Sequence, residues 1–140
     1  MSNRVTSKDL KTFALGFCIA MAPTRLAAAD VRTIEPSPGR SVFAYDHASV
    51  HDRAIDGRSQ REAIVSSDNS RDWQPNPNKQ WRSENLLVLH CDANEYRIGW
   101  VRRYARNGKL LSDTPGSNQF YRALPGSFEM TIVRTICSAQ

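Results

Sequence analysis

The chain has 140 residues, 40% of them hydrophobic and 24% charged, with 19 Lys and Arg against 14 Asp and Glu for a formal charge of +5. That length is enough for one domain with a modest core. No stretch holds the roughly 20 consecutive apolar residues of a membrane-spanning helix.

Residues 1–29, "MSNRVTSKDLKTFALGFCIAMAPTRLAAA", have the order of a secretory signal peptide. Arg4, Lys8 and Lys11 form a positive head, Phe13 to Ala22 an apolar run of h-region length, and Ala27-Ala28-Ala29 a small-residue cleavage site. Cys18 is preceded by bulky Phe17 where a lipoprotein signal wants a small residue, so cleavage after Ala29 and export are expected. Removing the segment takes away four basic side chains and one acidic one, which leaves 15 against 13. The high pI therefore owes much to the leader, and it argues only weakly for nucleic acid as a partner. Two cysteines remain, Cys91 and Cys137. An even count in an oxidising compartment predicts a disulfide between them. Closing the loop of 47 residues between them would stabilise the domain by about 4 kcal/mol on the chain-entropy model.

Residues 30–40, "DVRTIEPSPGR", contain two prolines and a glycine without periodicity and read as a flexible leader. The domain proper is expected over 41–140. "SVFAYDHASV" (41–50) has strand composition with a bend near Asp46, Asp56-Gly57 marks a turn, and 59–67 reads as a second strand. Residues 69–82 are punctuated by Pro75 and Pro77 and read as a loop carrying Trp73 and Trp81. "NLLVLHC" (85–91) is an apolar run suited to a central strand. In 95–106, Tyr96, Ile98, Trp100 and Tyr104 fall on one face at period two, with Glu95, Arg97 and Arg103 on the other. Asn107-Gly108 predicts a type I′ hairpin turn, returning through a short strand at 109–112. Residues 85–112 thus form a three-strand antiparallel meander. The segment 128–137 reads both ways. Ser127 as N-cap, Glu129 in a first turn and Phe128, Ile132 and Ile136 at spacing four fit a helix, whereas its β-branched content fits a strand.

Three pieces, "YDHASV", "HCDANEYRIGWVRRYARNGKLL" and "FYRALPGSFEMTIVRTIC", together resemble the bacterial surface-adhesin protein E family over roughly residues 41–137. The resemblance implies an α+β domain: an antiparallel β-sheet meander with a C-terminal α-helix, stapled by a Cys91–Cys137 disulfide. It turns 128–137 toward helix. It also implies protein recognition at the bacterial surface or in the periplasm.

His47 and His51 are four apart, but in a strand that spacing separates their side chains by about 13 Å, so no metal site is expected. His90 abuts Cys91, yet neighbours on a strand point to opposite faces, which argues against a Cys–His nucleophile pair. No phosphate loop, nucleophile elbow or Cys-x-x-Cys occurs, and neither an enzyme nor a cofactor is expected. The candidate binding residues are Arg97, Trp100, Arg102, Arg103, Arg106 and Lys109 on the hairpin, with Trp73 and Trp81 from the loop. Such a basic-aromatic set suits an acidic protein surface or a sulfated glycan. The same residues also suit a charged edge that blocks sheet aggregation. Expected, then, is an exported, non-enzymatic protein-binding domain that uses no nucleic acid and has no membrane span after cleavage. A homodimer through an exposed strand is compatible with this. The alternative is a small periplasmic inhibitor or immunity-type protein that blocks a toxin or enzyme.

Overall fold

A computed structural model describes residues 29–39, 41–68 and 80–140. The expected signal peptide lies outside these, apart from Ala29, and so does Trp73.

The strands are β1 (Val31–Ile34), β2 (Val42–Ile55), β3 (Arg58–Asp68), β4 (Gln80–His90), β5 (Glu95–Ala105), β6 (Leu110–Pro115) and β7 (Tyr121–Arg122), followed by α1 (Phe128–Cys137). Strands β1 to β6 follow one another across a single antiparallel sheet, and β7 pairs with the start of β5. The architecture is therefore an antiparallel meander with one C-terminal helix, more β than the α+β label suggests. Each strand from β1 to β6 pairs with its neighbour in sequence, so most of the sheet is built from local connections.

The hairpin turns follow glycine chemistry. Asp56 and Gly57 both have positive φ, 51° and 75°, and join Ile55 to Arg58 as a type I′ turn. The turn expected at Asn107-Gly108 is of a different kind. Only Gly108 has positive φ (83°), and Gly108 N–H donates to the Ala105 carbonyl while Ala105 N–H donates to Lys109. Three residues bridge the strands, with glycine in the left-handed position that a side chain would resist.

One face of the sheet carries α1. Met130, Val133 and Ile136 of the helix pack with Ile34, Tyr45, Ala63, Val65, Leu87 and Leu89. Ile34, Leu89 and Ile136 are completely buried. Burying such a side chain contributes roughly 1.5–3 kcal/mol. Ser127 caps the helix by accepting a hydrogen bond from Met130 N–H at 3.1 Å. The helix reading of 128–137 wins because its apolar stripe has a sheet to bury against, which local propensity does not register. A disulfide joins Cys91, in the β4–β5 turn, to Cys137, the last helical residue.

Four further sequence expectations are corrected. The leader 30–40 contains β1, which pairs with β2 from Val31 opposite Asp46 to Ile34 opposite Phe43, and the prolines follow this strand rather than interrupt it. Residues 80–82, expected in a loop, begin β4. The strand expected at 109–112 runs instead from Leu110 to Pro115. The fourth concerns β5: Leu87 pairs with Ile98, but Leu86 pairs with Trp100, so Gly99 is an extra residue. This bulge reverses the alternation. Tyr96 and Ile98 lie toward the helix, whereas Trp100 and Tyr104 lie on the opposite face.

Candidate protein-binding surface

The bulge at Gly99 assembles the open face of β4 and β5. Beyond it, Trp100, Arg102 and Tyr104 project away from α1, opposite Leu86, Glu84 and Arg82 of β4. Glycine fits here because a Cβ at this position would meet the Leu86 side chain at 3.0 Å. The chain after β6 then crosses back over the bulge. Gly116 N–H donates to Gly99 at 2.9 Å, and Ser117 N–H donates to Ile98 at 3.0 Å. A Cβ on Gly116 would lie 1.8 Å from the Ile98 carbonyl oxygen, so only glycine permits this approach. The crossing sets Phe120 flat on His90, with centroids 4.1 Å apart and planes 12° apart.

Four arginines stack on aromatic rings in this region. Arg97 lies 5.5 Å from the Phe120 centroid, Arg102 4.4 Å from Trp100, Arg82 5.1 Å from Tyr104 and Arg106 5.0 Å from Trp81. Energetically significant pairs of this type occur about once per 70–80 residues in proteins, so four in one region make a local concentration. Acidic side chains hold the middle of the array. Arg102 Nε donates to Asp113 at 3.1 Å, Arg82 pairs with Glu84, and Tyr104 donates to Glu84 at 3.0 Å. Burial first, and then the Glu84 hydrogen bond, push the Tyr104 phenol above its ordinary value of 10.0, so it stays a neutral donor. Arg97 and Arg106, at the two ends, have no carboxylate partner among the described residues. Nine positions of strand separate them, about 27–30 Å.

The expected set is thus divided. Arg97, Trp100 and Arg102 share the open face, with Arg106 and Trp81 at its end. Arg103 does not belong. It pairs with Ser83 on the helix-bearing side and is exposed there. Lys109 is exposed in the hairpin turn. The sequence reading missed Arg82 and Phe120, which reach the surface by cross-strand pairing and by the chain crossing. A lone glycine inside a strand pattern, Gly99, was the available sign of a bulge.

The other candidates resolve simply. Cys91 is oxidised, which removes it as a nucleophile. His51 Nε2 lies 3.0 Å from Glu62, and His47 Nδ1 lies 3.4 Å from Asp30. Among the described residues no group of three or more His, Cys, Asp or Glu is arranged to hold a metal. No described helix is long and apolar enough to cross a membrane.

No family model, curated protein or solved structure matches the chain.

Proposed function

We propose that the chain is an exported, non-enzymatic protein-binding domain whose working surface is the open face of β4 and β5. The resemblance to the surface-adhesin protein E family points to a partner at the bacterial surface or in the periplasm. One observation carries the choice of surface: guanidinium groups stack on rings across this face, and those at its two ends have no acidic partner among the described residues.

A guanidinium held over a ring through its charge keeps N–H donors free for carboxylates. The contact also holds long side chains in place, which lowers the entropy lost on binding. The rings are already covered by arginine, so a nucleobase or sugar would have to displace a cation in order to stack. That favours an acidic protein over a nucleic acid or a neutral glycan. The disulfide fits folding in an oxidising compartment.

The test is capture of partners on the oxidised domain, compared with a double charge reversal, Arg97→Glu with Arg106→Glu, and with Arg103→Glu on the other face. Loss of capture and of its salt dependence in the double variant alone supports this surface. Equal loss with Arg103→Glu, or no loss in either, rejects it.

A further inference from the structure

Beside α1, on the face away from the arginine stacks, the sheet is incompletely covered. A ten-residue helix is about 15 Å long, whereas the 11-residue strands β3, β4 and β5 run about 36 Å. Along the flank of the helix a cleft of about 220 Å³ remains. Its floor is Val65, Leu87 and Ile98, and Ile132 and Val133 of the helix wall it. That volume equals about seven water molecules at roughly 30 Å³ each.

Three polar groups border this apolar space: Asn85, Tyr96 and Glu129. The Asn85 side chain makes no hydrogen bond with any described residue. Burial, and then the charge of Glu129, push the Tyr96 phenol above its ordinary value of 10.0, so it remains protonated and accepts through oxygen. Glu129 precedes Ile132 and Val133 by helical spacing, three and four residues, which sets its carboxylate on the wall of the cleft. It forms no ion pair with a described residue; Arg122 shares only an adjoining depression with it. Apolar walls with a few polar groups at one side are the general form of a small-ligand site.

We propose that this cleft binds a small molecule with a compact apolar body and a terminal protonated amine, the body lying over Leu87 and Ile98 and the ammonium facing Glu129. The bordering groups offer acceptor oxygens, which an ammonium with three N–H donors can satisfy. The negative charge of Glu129 repels carboxylates and phosphates, and the volume is too small for a long acyl chain. This site is independent of the proposed protein-binding surface, which occupies the other face.

Phenethylammonium, 2-phenylethanol and 3-phenylpropionate are three probes of similar size and different charge. Each is titrated into the oxidised protein while the methyl resonances of Leu87, Ile98 and Ile132 are followed. The expected result is saturable shifts with phenethylammonium, at an affinity about tenfold above that of the alcohol. Glu129→Gln removes this preference, and Glu129→Lys transfers it to 3-phenylpropionate. The site of change is exposed, so both variants retain the fold, verified by their melting curves. Absence of methyl shifts, equal affinity for amine and alcohol, or a preference unchanged in Glu129→Gln overturns the proposal.

Discussion

Arg61 meets the carboxylate of Asp52 edge to edge, with Nε 2.8 Å from Oδ1 and Nη2 2.9 Å from Oδ2. Its remaining nitrogen, Nη1, donates to the carbonyls of Ile136, Cys137 and Ala139 at 3.3, 3.0 and 2.8 Å. One side chain on β3 therefore joins β2 to the C-terminal end of α1. The end of a helix has unpaired carbonyls and partial negative charge, so a guanidinium there satisfies both. Asp52 raises the affinity of Arg61 for its proton, and Arg61 holds the Asp52 carboxyl below its ordinary value of 3.8.

Arg61→Ala is expected to destabilise the domain by about 2–3 kcal/mol, the range for breaking charge-assisted hydrogen bonds. Arg61→Lys should recover little, because an ammonium cannot make the two-point pair and cap the helix together. Chemical denaturation of the three proteins tests this; equal midpoints would show that the tie carries no stability. The pH dependence has a definite sign. Because the folded value of Asp52 is lowered, its contribution is present above the unfolded value and is lost as pH falls below about 4. The acid limb of the stability profile should be flatter in Asp52→Asn.

The disulfide closes a loop between positions 46 apart. Its reduction, or the paired change Cys91→Ser with Cys137→Ser, should cost up to about 4 kcal/mol. Loss should be concentrated at the helix, whose last residue is the anchored one. Thiol titration before and after reductant, with circular dichroism at the helix band, measures both parts. Two free thiols in the untreated, natively processed protein would contradict the bond.

Gly116→Ala is predicted to be far more damaging than a loop substitution ordinarily is. The new methyl would overlap the Ile98 carbonyl oxygen, so the crossing must lift off β5. Phe120 would then leave His90 and release Arg97. A loss of about 1–3 kcal/mol is expected from the displaced backbone. Capture of the protein partner should weaken as well, while Gly108→Asn, which meets open space and bears only the backbone strain of its positive φ, should cost less than Gly116→Ala.

Ser127→Ala removes the acceptor for Met130 N–H. The expected cost is about 1 kcal/mol, and Ser127→Asp should restore most of it. Thermal unfolding at fixed protein concentration distinguishes these outcomes.

Much of the sheet was legible because its signals are local. Asp56-Gly57, the apolar run of Leu86 to Leu89 and the alternation in 95–98 depend on neighbouring residues alone. Two cysteines were enough to name a bond, whereas Ser127 and Glu129 offered a helix start that the β-branched content of 128–137 left open until the sheet covered its apolar stripe. The side of the sheet on which Trp100 and Tyr104 stand was not legible. It depends on Gly99 being passed over by β4, which is a property of two strands in register. Phe120 reached the binding surface only because Gly116 lets one segment of backbone lie against another. Periodicity and turn chemistry are written in adjacent residues, and so the sequence by itself determined the central strands, the β2–β3 turn and the cross-link. Register and chain crossing arise from contacts between distant residues, and those only the tertiary structure decided.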